Sequence, residues 1–312
     1  MKTNLFIILI LMITFTNLSA QTEKIITLKT ATGDLEGTLM TPESNSSKTI
    51  ALIIAGSGPT DRDGNNPAMK NNSLKMLAAE LNKKGIASLR YDKRGIGNSQ
   101  KAGLKESDLR FENYVNDAKA WVVYLNRDQK FNRIVVIGHS EGSLIGMIAS
   151  QEKNVTKFVS IAGAGQPADQ IIREQLKSQP PTVTISSNAI LDELKKGKTV
   201  ENIPQMLNSL FRPSVQPYMI SWIKYDPQKE IAKLKIPVLI IQGTTDIQVN
   251  LDDANRLAKA LPKAKLVVIE GMNHIMKQAP ADRQMNILTY TQPDLALKKE
   301  LIDNLIPFLT NK

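Results

Sequence analysis

Ile134-Val135-Val136-Ile137-Gly138-His139-Ser140-Glu141-Gly142 is an apolar, β-branched run that ends in a Gly-x-Ser-x-Gly turn and passes directly into Ser143-Leu144-Ile145-Gly146-Met147-Ile148-Ala149. The pattern reads strand, tight turn, helix. Glycines at 138 and 142 let the backbone reverse where a side chain would collide with a neighbouring strand or helix, which holds Ser140 strained with its hydroxyl outward. A bare match to these five residues is weak, because glycine and serine are common in loops. The strand before and the helix after supply the context that makes Ser140 a candidate nucleophile.

Working outward, residues 49–55 and 86–91 on one side and 157–162, 236–243 and 265–269 on the other are further apolar runs of strand length. Between them lie apolar residues at helical spacing. Leu74, Leu77, Ala78 and Leu81 follow Ser73 as expected N-cap and stop at Gly85. Phe111, Tyr114, Val115, Ala118, Trp121, Val122 and Leu125 mark a longer helix, with Trp121 packed on the sheet. Residues 251–261 and 295–309 mark two more. Strands alternating with amphipathic helices predict an α/β fold, a mostly parallel central sheet with helices on both faces. Residues 23–29 and 35–40 alternate around Thr32-Gly33-Asp34 and predict an antiparallel hairpin. From about 166 to 231 the alternation stops, and short helical patterns are broken by Pro180-Pro181, Pro204, Pro213 and Pro217. That insertion reads as a helical cap over the site, or as a second layer of core.

The first 20 residues stand apart. Lys2, an apolar stretch over 5–15 and Asn17-Leu18-Ser19-Ala20 predict a signal peptide cleaved before Gln21, leaving 21–312 as one large α/β domain. The alternative, an uncleaved anchor, needs roughly 20 apolar residues. The expected product is periplasmic or extracellular and not stably inserted in a membrane. The chain has no cysteine, so no disulfide braces it and no thiol carries a lipid. Its net charge of +10 comes from 40 basic residues scattered among 30 acidic ones, without interleaved aromatics, which argues against a nucleic-acid partner. No cofactor is indicated. A transition-metal site is not expected from two histidines and no cysteine, and the stretch from Asp61 to Gly64 lacks the later ligands of a calcium loop. The oligomeric state is left open.

A serine hydroxyl needs a base, and the base needs an orienting group. Of the two histidines, His139 lies beside the nucleophile with its side chain expected to point away, which leaves His274, in Gly271-Met272-Asn273-His274 after the last strand, as the base. Asp246, directly after the strand ending at Gly243, fits the orienting carboxylate. Asp252 and Asp253 suit a helix N-terminus better, and Glu270 stands too close to the histidine. The order Ser, Asp, His follows.

With these residues, together with Gly56-Ser57-Gly58-Pro59-Thr60-Asp61-Arg62-Asp63-Gly64 and Tyr91-Asp92-Lys93-Arg94-Gly95-Ile96-Gly97-Asn98-Ser99, the sequence resembles the α/β-hydrolase fold family, in its exported bacterial esterase and serine-aminopeptidase-like branch. The resemblance implies two oxyanion donors, the amide of Glu141 and one from the loop after the third strand, Ser57. Many relatives carry histidine-glycine there, whereas this chain has Ala55-Gly56. Asp61, Arg62 and Asp63 read either as substrate contacts or as an ion pair tying down the loop, and Asp92 and Arg94 as loop staples. The reading that follows is a serine carboxylesterase acting on small-molecule esters with small or medium acyl groups. An aminopeptidase, with Glu141 or a cap acid holding the substrate amine, a thioesterase, and a non-catalytic binder are the alternatives.

Overall fold

In the computed structural model, which describes residues 22–42, 48–129 and 131–311, the apolar runs join into one eight-stranded sheet. The expected signal segment lies outside the described residues. In chain order the strands are β1 (Thr22–Thr30), β2 (Gly33–Thr41), β3 (Thr49–Ile54), β4 (Ala87–Tyr91), β5 (Arg133–His139), β6 (Val155–Ile161), β7 (Val238–Gly243) and β8 (Lys265–Ile269), arranged β1-β2-β4-β3-β5-β6-β7-β8. β1 and β2 form the expected antiparallel hairpin, and β2 also runs antiparallel to β4. Every other pairing is parallel. This is the α/β architecture that the alternation of strand and helix requires.

The helices are α1 (Ser73–Lys83), α2 (Phe111–Arg127), α3 (Glu141–Ala149), α4 (Ala168–Leu176), α5 (Pro181–Lys195), α6 (Asn208–Phe211), α7 (Gln216–Ile223), α8 (Pro227–Ala232), α9 (Leu251–Ala260), α10 (Arg283–Leu288) and α11 (Lys299–Thr310). Because successive strand residues face opposite sides, Ile50, Leu52 and Ile54 pack with α2, α3 and α9, while Ala51 and Ile53 pack with α1 and α11. The strands are therefore apolar on both faces, as a doubly covered parallel sheet demands. Trp121 is fully buried against Tyr91, with ring centroids 5.7 Å apart.

The five helices α4 to α8 lie between β6 and β7 without an intervening strand. Their apolar residues Ile190, Leu191, Leu194, Phe211 and Met219 are continuous with the core on the α2 and α3 face. Two local expectations shift. Ser73 is the first helical residue of α1 rather than its cap; Asn72, at φ 55°, precedes it, and the Asn71 side chain accepts the Ser73 amide at 2.9 Å. The last helix starts at Lys299 rather than 295, because Leu297 pairs with Lys277 and the Lys298 amide donates to the Met276 carbonyl.

Candidate active site

Ser140 lies between the end of β5 and the start of α3 with φ 55° and ψ −122°. That conformation is strained for a residue with a Cβ and persists only where the surroundings force it. The forcing is visible. A Cβ at position 138 would stand 2.2 Å from the Gly142 carbonyl oxygen, and one at 142 would stand 2.3 Å from that of Ile54. Only glycine allows strand, turn and helix to approach so closely.

Asp246 is held in the turn after β7 by four hydrogen bonds. Its Oδ1 accepts the amides of Gln248 and Val249 at 2.8 and 3.0 Å, and its Oδ2 accepts from His274 Nδ1 at 2.8 Å and Gln242 Nε2 at 3.1 Å. Burial pushes the carboxyl pKa up, but the charge and hydrogen bond of His274 and the two amides outweigh it, so Asp246 stays below the usual carboxylate value. The structure thus brings Asp246 and His274 together across 28 residues.

The rest of the His274 loop is tied on several sides. Asn273 donates to Thr289 Oγ1 at 2.8 Å, and the buried Lys277 Nζ donates to the carbonyls of Asn71 and Gln292, both at 2.6 Å. Burial pushes Lys277 down to about 8. His139 Nε2 meets the His274 carbonyl oxygen at 2.7 Å, and the two rings lie 4.9 Å apart. A carbonyl only accepts, so this Nε2 carries the proton. Burial first, and the neighbouring His274 second, push His139 down to about 4, which keeps it neutral. It joins the chain neighbour of Ser140 to the backbone of His274. Among the described residues the Ser140 hydroxyl has no hydrogen-bond partner.

Ser140 opens on a cavity of about 570 Å³. Leu104 and Leu109 line it from the connection between β4 and α2, Leu144 from α3, and Ile171, Ile172, Leu210, Val215, Met219 and Trp222 from the segment between β6 and β7. Both Ser57 and Glu141 are in the wall, and Glu141 is the first residue of α3. Four charged side chains border the cavity, and each is paired. Arg94 binds Asp117 with Nε to Oδ2 at 2.7 Å, and Glu106 binds Arg212 with Oε2 to Nε at 2.8 Å. Glu141 takes Lys93 Nζ at 3.2 Å on one carboxylate oxygen and the Tyr218 hydroxyl at 2.5 Å on the other. Burial and then the Glu141 carboxylate raise Tyr218 well above the usual phenol value, so it remains a donor.

Of the two readings of residues 61–63, the ion pair is what forms. Arg62 is buried against Asp92, with Nη2 to Oδ2 at 2.7 Å, and none of the three residues lines the cavity. Asp253 is fully buried near the start of α9 and accepts the Gly165 amide at 2.9 Å. Sequence reasoning missed Gln242, Lys93 and Tyr218. Gln242 was visible as a polar residue ending an apolar strand; Lys93, in a loop of charges, carried no sign of its burial.

An eight-stranded, mostly parallel sheet with a serine on the turn between its central strand and the following helix defines an α/β-hydrolase. The chain belongs to the serine aminopeptidase S33 family, whose model matches residues 69–278. It is 27% identical over 256 residues to esterase EstD of Thermotoga maritima, covering 78% of this chain but only 58% of that protein. Among solved structures it resembles Est1E from Butyrivibrio proteoclasticus with ferulic acid bound, at TM-score 0.63 and 20% identity over 92% of this chain and 100% of the other. It also resembles the Pyrococcus furiosus esterase Pf2001, at TM-score 0.56 and 19% identity over 93% and 92% of the two chains. These likenesses are of fold.

Proposed function

We propose that the protein is a serine carboxylesterase with Ser140 as nucleophile, His274 as general base and acid, and Asp246 as the group that orients the imidazole. Ser140 attacks the ester carbonyl while His274 takes its proton, and the amides of Glu141 and Ser57 receive the charge that develops on oxygen. His274 returns the proton to the departing alcohol. Water, activated by the same imidazole, then hydrolyses the acyl-enzyme. The hydrogen bond from Ser140 to His274, which the free site does not make, forms as the substrate binds, a common difference between free and occupied sites.

The observation that carries an ester over a peptide substrate is the pairing of every acid in the cavity wall. An aminopeptidase must hold a protonated amine, and neither Glu106 nor Glu141 is free to do so: one carries Arg212, the other Lys93 and Tyr218. The rest of the wall carries no charge and is mostly apolar, with Gln166, Gln175 and Gln248 among its polar members, which suits an uncharged acyl group, and the esterase names of EstD and of the structural neighbours agree with this reading. p-Nitrophenyl esters of rising chain length, run beside aminoacyl anilides, test it. Ester turnover without anilide turnover is expected, and preferential anilide cleavage would overturn it. Export with cleavage before Gln21 belongs to the same proposal, and the N-terminus of the protein recovered from a secreting host checks it.

A further inference from the structure

From the Lys93 ammonium, bonded to the carbonyl of the peptide that carries the Ser57 amide and to the side chain of Glu141, we infer that Lys93 is a positioning residue of the oxyanion hole, an inference that rests on the esterase reading above. Lys93 is buried, with 1% of its surface exposed, and its Nζ donates to the Gly56 carbonyl oxygen at 2.5 Å. That carbonyl and the amide of Ser57 are the two ends of one planar peptide unit, so fixing the oxygen fixes the direction of the N–H. The same Nζ lies 3.2 Å from Glu141 Oε2 and 4.9 Å from the ring centre of Tyr114. Glu141 supplies the second donor through its own amide. One cation therefore ties the β3 loop to the first residue of α3.

The peptide it holds lies against the nucleophile. A Cβ at Gly56 would stand 3.0 Å from Ser140 Cβ and 3.4 Å from His139 Nδ1. A hydrogen bond to the carbonyl also polarises the peptide and strengthens its N–H as a donor, since linked hydrogen bonds reinforce one another. A better-aimed, stronger N–H gains most where the accepting oxygen carries the most charge, so the contact favours the charged intermediate over the bound ester. Its loss should appear in kcat and not in KM.

The test compares wild type, Lys93→Met and the double variant Lys93→Met/Glu141→Gln. The double variant removes both charges of the buried pair, keeps an acceptor for Tyr218, and decides the matter if the single variant does not fold. Losing an oxyanion donor outright costs about 100- to 1000-fold, so misdirecting one should lower kcat about 30- to 100-fold. KM should stay within about threefold of wild type, and affinity for a trifluoromethyl ketone, which forms a tetrahedral oxyanion, should fall in parallel with kcat. A merely structural role would not produce that parallel. Folded variants with wild-type kcat and ketone affinity would overturn the inference, as would recovery of kcat in the double variant, which would assign the defect to an unpaired Glu141.

A second readout needs no substrate. With 13C-carbonyl glycine and 15N-serine, only the Gly56–Ser57 and Gly142–Ser143 peptides give cross-peaks. Lys93→Met should shift the Gly56–Ser57 peak, and an unmoved peak would refute the contact. A wild-type chain without ester turnover would refute the esterase reading instead, and the carbonyl shift would then decide only the Lys93–Gly56 contact.

Discussion

Asp246 does three jobs with two oxygens: it takes two backbone amides on one and an imidazole and a glutamine amide on the other. Asp246→Asn keeps the shape but places an amide where His274 Nδ1 must donate, favouring the wrong tautomer. In a comparable triad this change costs about 10⁴-fold in kcat, and a loss of about 10³- to 10⁴-fold with little change in melting temperature is expected here. His139 gives a separate prediction. Its native pKa, about 4, lies below the ordinary value of 6.5, so the unfolded chain binds the proton more readily. The contribution is therefore present above pH 6.5 and is lost as the pH falls toward 4. Asp246, also depressed in the native state, adds its loss at still lower pH. Urea midpoints measured from pH 7 to 4 should fall over that window, and His139→Asn should flatten the upper part of the slope.

At the scale of elements, the loop after β3 is held to the loop after β4 by the buried Arg62–Asp92 pair, with Glu36 and Thr38 taking the remaining guanidinium contacts. Arg62→Met fills similar space but leaves Asp92 uncompensated, and breaking such a pair costs about 3–5 kcal/mol. Denaturant unfolding should show that loss, whereas an unchanged midpoint would mean the loop is held otherwise. On the proposed reading, the α7 side chains Met219 and Trp222 in the cavity wall would limit acyl length. Met219→Trp should narrow the cavity and lower kcat/KM for octanoyl relative to acetyl esters by about tenfold or more, the scale on which a hydrophobic pocket discriminates chain length. Equal loss on both esters would place the acyl chain elsewhere.

Across the whole molecule, what the sequence disclosed follows from how local each signal is. The elbow at Ser140 is written in nine adjacent residues, so motif and period were enough to place it. Asp246 and His274 are far apart, but each follows an apolar strand, and parallel topology carries all such strand ends to one edge of the sheet. Their 2.8 Å contact joins the two residues chosen as base and orienting group, one by elimination and the other by its place after a strand. Lys93 was hidden because only tertiary packing decides whether a long cation in a charged loop is buried. α10 was hidden for the opposite reason: Met285, Ile287 and Leu288 remain exposed, so it presents no apolar stripe for a helical period to register.

Reaction with a fluorophosphonate followed by peptide mapping examines the central assignment most directly, because the reagent is attacked only by a serine activated by its neighbours. A single phosphonylated site at Ser140 is expected, with labelling abolished in Ser140→Ala and slowed by orders of magnitude in His274→Ala. Labelling at another residue, or an intact Ser140 in folded protein after prolonged exposure, would contradict it.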